Sequence, residues 1–233
     1  MKSKFLILGI AASLLSASAL AFVAQEFTLK FKHEKGAISK YKLAATIEAQ
    51  GQSIGVTATV VEKTTKVDDD GGFTMESGQE GLKLSVGGQE MEPGSQEAST
   101  EVRNAKGEIL EIKGAEAETS MRTGVLNNFV LPGKAIKVGD TWEYAVKKDE
   151  KKGTVSAKVT FKLLSEDKVG THDCLKVKIT GIESEGSMPA TMDTTAWIEK
   201  DGLKMIKAES KWTNVPIPGA GAVNGTVKLD LIG

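Results

Sequence analysis

Period-two alternation of apolar and polar side chains constrains this chain more than any other feature. Phe27, Leu29 and Phe31 alternate with Thr28, Lys30 and Lys32, Leu175, Val177 and Ile179 with Lys176 and Lys178, and Val227, Leu229 and Leu231 with Lys228 and Asp230. Successive side chains of an extended chain point to opposite faces, so each run predicts a strand with one apolar and one wet face. Tyr41 with Leu43, Val56 to Val61, Trp142 to Val146, Val155 to Leu163 and Ala196 to Ile198 read the same way. Turn signals separate these runs at Gly51-Gln52, Asp70-Gly71-Gly72, Gly87-Gly88, Lys106-Gly107, Lys152-Gly153, Val169-Gly170 and Asp201-Gly202. One-sided strands joined by tight turns predict antiparallel sheet. The exception is 121–131, where Val125, Leu126, Phe129 and Val130 fit helical spacing and Pro132-Gly133 supplies a stop. The expected fold is therefore all-β, an open barrel, half-barrel or sandwich with one short connecting helix near 121–131.

An internal echo refines this expectation. An ungapped shift of 103 residues lays Gly36 on Gly139, Tyr41 on Tyr144 and Val56-Thr57 on Val159-Thr160, and one further slip lays Phe73 and Met75 on Leu175 and Val177. Taken in order, these matches predict two related antiparallel units, 22–121 and 133–233, joined by a helical connector at 122–132. The alternatives are convergent β patterning and a single continuous domain that both units share.

The first 21 residues read as a secretory signal. Lys2 and Lys4 precede an apolar stretch from Phe5 to Leu15, and Ala19-Leu20-Ala21 has the small-x-small pattern of a cleavage site. Cleavage is expected after Ala21, with Ala19 as the second choice. The stretch is short of the roughly 20 residues a spanning helix needs, and no later run approaches that length. Lipid anchoring through a cysteine at the cleavage site is excluded, because the single cysteine is Cys174. The expected location is extracellular or periplasmic, with no transmembrane segment after cleavage. Thirty basic residues against 31 acidic ones leave no electrostatic footprint for nucleic acid.

Leu131-Pro132-Gly133-Lys134-Ala135-Ile136-Lys137-Val138-Gly139-Asp140-Thr141-Trp142 resembles the Leu-Pro, Val-Gly-Asp-x-Trp segment of a domain family of unknown function in bacterial secreted proteins and lipoproteins. Farther on, Trp197-Ile198 running into Asp201-Gly202 is similar to a pattern of periplasmic lipid-carrier half-barrels. The resemblance covers mainly 131–213 and implies an envelope or secreted protein with no assigned catalytic residues. Physically the first motif reads as structural. Gly139 supplies a turn with positive φ, Asp140 accepts hydrogen bonds from the turn backbone, and Trp142 opens the next strand by burying its ring.

Candidate chemistries are weak by comparison. In His172-Asp173-Cys174, His172 and Cys174 share a strand face while Asp173 points away, and the only other histidine is His33. Asp68-Asp69-Asp70-Gly71-Gly72 lacks the alternation and distal glutamate of a calcium loop and reads as an acidic hairpin. Two histidines and one cysteine propose no zinc site. No catalytic residue, metal or cofactor is expected. The function expected is non-catalytic binding or a structural role, with a protein or cell-surface partner. The alternative is a carrier or sensor of an apolar, lipid-like ligand, for which the candidate lining residues are Trp142, Phe161, Trp197, Met205 and Trp212. Phe73 joins these as a large ring that either fills a closed core or borders a cavity.

Overall fold

The computed structural model describes residues 25–94, 97–114, 116–217 and 219–233. The expected signal segment at 1–21 lies outside the described residues. After a short β1 (Glu26–Phe27) come three long strands, β2 (Ile38–Ala49), β3 (Gln52–Val67) and β4 (Phe73–Val86). The shorter β5 (Gln89–Met91), β6 (Ser99–Arg103) and β7 (Ile109–Lys113) lead into helix α1 (Ala117–Asn127). The second half holds β8 (Ile136–Lys137), β9 (Thr141–Val146), β10 (Ala157–Val169), β11 (His172–Glu183), β12 (Thr191–Glu199), β13 (Met205–Ile217) and β14 (Gly221–Leu231).

All pairings are antiparallel, as the one-sided strand pattern predicts. Twelve strands form one sheet in the order β7-β6-β4-β3-β2-β14-β13-β12-β11-β10-β9, with β5 beside β4, while β1 pairs with β8 apart from it. The halves meet where β14 pairs with β2, Leu229 opposite Leu43 and Val227 opposite Ala45. Read from β9 to β7, the strands of each half follow in chain order. β7 and β9 do not pair among the described residues, so the sheet curves without closing into a barrel. Register shifts in β3, β10, β12 and β13 mark bulges, which bend and twist strands locally.

Helix α1 packs on the concave side, against β7 and β10 to β13. Met121, Val125 and Leu126 are its buried face. Below them lie Val159, Phe161 and Leu163 of β10 with Leu175 and Val177 of β11, all essentially inaccessible to solvent. Close approach is possible because β11 carries Gly181, where any Cβ would overlap the Leu126 carbonyl. Arg122 reaches from the helix to Glu183, which also accepts the Ala190 N–H.

The helix lies four residues earlier than the apolar spacing predicts. Asn128 turns extended, with φ −75° and ψ 137°. Its side chain accepts from Arg103 Nη1 at 2.7 Å and donates to the Gly107 carbonyl. Long-range hydrogen bonds therefore end the helix well before Pro132, and Phe129 and Val130 pack as extended chain.

A second difference concerns Phe27 to Lys32. Its alternation in burial is present, with Phe27 buried, Leu29 and Phe31 half-buried and the intervening residues exposed. Only Glu26–Phe27 pairs as strand, and the rest forms an extended strap. Alternation specifies an extended chain with one apolar side; it does not supply a neighbour to hydrogen-bond.

Candidate functional site: a partly open cavity with one polar end

The strap, the sheet, the end of α1 and the β12–β13 hairpin border a partly open cavity of about 320 Å³, with Lys32, Glu34 and Lys204 at its solvent-exposed margin. Strand alternation decides what it presents. Ile179 of β11, Ala196 and Ile198 of β12 and Ala208 of β13 form an apolar floor, with Leu203 and Met205 of the hairpin beside them. Phe31, Phe73 and Phe129 form an aromatic wall, Phe31 lying 5.5 Å from Phe73 and 6.3 Å from Phe129 between centroids. The other end is polar and comprises Ser39, Tyr41, Glu62, Thr64, Arg103 and His33.

The electrostatics of the polar end follow from its burial. Arg103 donates Nε and Nη2 to one oxygen of Glu101, at 3.0 and 2.5 Å, and Nη1 to Asn128. Glu62 faces the cavity opposite Ser39 in the β2–β3 register. Burial pushes its carboxyl above the usual carboxylate range; Arg103 pulls the other way and Glu101 adds to the rise. Burial likewise raises the Tyr41 phenol. His33 stacks on Phe73 at 3.7 Å, and burial, reinforced by the Arg103 charge, lowers its pKa to about 4. Its Nε2 is buried without a hydrogen-bond partner.

On the same face of β2 that brings Tyr41 to the cavity, Leu43, Ala45 and Ile47 follow at period two and are only half-buried. Their register partners Ala58, Val56 and Ile54 on β3 extend this apolar surface.

The five expected lining residues occupy four different settings. Met205 lines the cavity. Trp142 and Phe161 stack in the core at 5.2 Å, and Phe129, edge-on to both, separates them from the cavity space. Trp212 borders a shallow depression with Lys211, Thr213 and Asn224. Trp197 lies on the opposite strand face from Ala196 and Ile198, with Lys176 and Lys207 each 4.8 Å from its ring and its Nε1 donating to Asp167. Phe73, 1% exposed, both fills the core and borders the cavity.

The turn motif has the geometry its chemistry suggests. Gly139 has φ 96°, Asp140 accepts the Lys137 N–H at 3.0 Å, and Trp142 donates Nε1 to Val130 at 2.8 Å. Cys174 is buried, and burial raises its thiol pKa, opposite to an activated nucleophile. His172 bonds to Glu199 instead. Among the described residues, no group of three or more His, Cys, Asp or Glu is placed to hold a metal ion, and no helix is long and apolar enough to cross a membrane.

Glu62, Arg103 and His33 escape a search for aromatic lining residues, yet two signals point to the first two. Glu62 has the parity of Val56, Ala58 and Val60, so alternation itself turns it inward. The chain has only two arginines, Arg103 and Arg122, and each forks onto a glutamate, half-buried Glu101 and fully buried Glu183, the pairing for which arginine is better suited than lysine.

No family model and no curated protein matches the sequence. Among solved structures, lipovitellin, determined for its lipid–protein interactions, is similar over 87% of this chain with TM-score 0.52 and 14% identity. This chain covers 26% of that one, so the likeness is to one portion of a much larger protein and shows the fold alone. A protein with a YmcC-like fold from Bacteroides fragilis aligns over 88% of this chain and 99% of its own, with TM-score 0.34 and 10% identity. A DUF1329 family protein from Desulfovibrio piger aligns over 86% and 85%, with TM-score 0.25 and 12% identity.

Proposed function

We propose that this protein is a secreted or periplasmic carrier or sensor of a small amphiphile, held in the cavity between the concave sheet and α1. The observation that carries this reading is the cavity itself, about 320 Å³ with an apolar floor and one polar end. That volume lies at the small end of ligand sites, and apolar walls with a few convergent polar groups are the usual form of such sites. The half-exposed apolar stripe on β2 and β3 supports an apolar cargo. The sheet's likeness to part of lipovitellin, a lipid-binding protein, is in keeping with it. The signal-like N-terminus and the Leu131-Pro132 to Trp142 signature support an envelope protein of the bacterial family that carries this motif. No side chain nominated here carries catalysis, so the activity proposed is binding.

Native mass spectrometry of protein purified without detergent from its own host, before and after organic extraction, tests the reading. A mass excess removed by extraction and identified as an amphiphile supports it. A bare chain that also takes up no added amphiphile overturns it and favours a role at a protein or cell-surface partner.

A further inference from the structure

We propose that the cargo carries a hydrocarbon tail as long as a membrane lipid's acyl chain, and that this tail leaves the cavity along an apolar row crossing β13, β14, β2 and β3; this rests on the carrier reading above. The strand register lays the row out. Ala196 and Ala208 of the cavity floor pair with each other, Ala208 pairs with Leu229, Leu229 with Leu43, and Leu43 with Ala58. Paired residues share a sheet face, so the floor continues unbroken across the seam between the two halves. Beside it runs a second row of Val227, Ala45, Val56 and Leu84. Helix α1 packs over β7 and β10 to β13, and Leu229, Leu43, Ala45 and Val56 remain half-exposed. The opposite face of the same strands carries Lys42, Thr46, Thr57, Lys228 and Asp230. These strands therefore keep one wet and one apolar face where the helix does not reach, and a contiguous exposed apolar patch marks a binding surface.

Shape and size identify the occupant. The rows lie on the concave side of the sheet, which admits a slender chain and excludes a flat protein face. At roughly 30 Å³ per heavy atom, the share of a water in the liquid, the cavity alone holds about eleven heavy atoms, so a longer ligand must extend beyond it. From β13 to β3 the first row crosses three strand spacings of about 4.8 Å, about 14 Å in all. One leaflet's acyl chain spans a similar length, half of the roughly 30 Å hydrocarbon core of a bilayer. Polarity along the strands agrees. β2 passes from Ser39 and Tyr41 at the polar end of the cavity to Leu43 and Ala45, and β3 passes from Glu62 to Ala58 and Val56. The same two strands thus set a polar head apart from an apolar tail.

The test measures binding of straight-chain carboxylates and 1-alkanols, octyl to tetradecyl, to the extracted protein by displacement of a fluorescent apolar probe. Within each series the head group is constant, so the change of affinity with length reports the tail alone. Affinity is expected to rise about two- to fourfold per added CH₂ through the whole series. A cavity acting alone stops gaining near decyl. Ala45→Asn places an amide on the row outside the cavity; it should leave the octyl affinities within about twofold and weaken the tetradecyl ones about tenfold. If that variant does not fold, Val56→Thr, which exchanges a methyl for a hydroxyl, should still weaken tetradecyl binding about threefold. A gain that stops at decyl in the unmodified protein, or an unchanged length dependence in folded Ala45→Asn, overturns the tail assignment while leaving the carrier reading in place. A stop at decyl together with a dimer that Ala45→Asn dissociates gives the row to a second copy of the chain instead. Failure of every probe to bind overturns both.

Discussion

Arg122 of α1 donates Nε to one oxygen of Glu183 at 2.5 Å and Nη2 to the other at 2.8 Å, joining the helix to β11 through a fork whose acidic partner is 1% exposed. The glutamate holds Arg122 above its ordinary pKa, so the guanidinium stays charged across the physiological range. Removing the arginine leaves a buried carboxylate with only the Ala190 N–H. Arg122→Ala should therefore cost about 3–5 kcal/mol, read by urea unfolding. Replacing both residues with apolar ones should cost less than the two single changes summed. A loss below about 1 kcal/mol for Arg122→Ala would show that the fork does not hold the helix.

Gly181 carries the other half of that attachment. Its missing Cβ is what lets the Leu126 carbonyl rest on the strand. Gly181→Ala should push the helix off β11 and cost about 1–3 kcal/mol or more, with a fall in melting temperature. Substituting Gly133, which has open space around it but φ 70°, should cost less. Equal losses at the two sites would contradict the packing argument.

His33 gives the fold an acid-sensitive window. Its folded pKa of about 4 lies below the 6.5 of an unperturbed histidine. Between those values the unfolded chain binds more protons than the folded one. Stability is therefore full above about pH 6.5 and falls as pH drops toward 4. Discounted for solvent reaching the ring, the loss is about 1–2 kcal/mol. His33→Phe should flatten that window in thermal melts run as a pH series; an unchanged slope would show that the ring protonates freely in the fold.

Glu62 works in the opposite direction. Its folded pKa is raised, so the unfolded chain releases the proton first as pH climbs above the ordinary carboxylate value, and stability falls with rising pH. Glu62→Gln should be more stable than the parent at neutral pH, with the advantage vanishing in acid below about pH 4. A neutral-pH loss of stability would mean that the carboxylate is ionised and favourably held.

Much of the site was legible where one strand face alone carried the information. Alternation placed Tyr41 and Leu43 on one face of β2, and the Val138-Gly139-Asp140-x-Trp142 spacing anticipated both the turn and the buried ring. Choosing lining residues by aromatic size was less informative. Trp197 and Phe161 are both large, but only register and the path of Phe129 show that one lies under two lysines on the outer face and the other behind the cavity wall. The polar end stayed hidden because Glu62 on β3 and Arg103 on β6 are 41 positions apart and meet only through intervening β4.

The sequence by itself determined the class of the fold, because period-two alternation and turn residues act locally and each strand's wet face needs no distant partner. It also determined that one segment between the halves is helical. Only the tertiary structure decided where that helix stops, since Asn128 is drawn out of it by Arg103 and Gly107, and that the Phe27 to Lys32 run becomes a strap over a cavity rather than a strand. Pairing partners, curvature and enclosed space depend on contacts between residues far apart in the chain. Local periodicity carries no record of them.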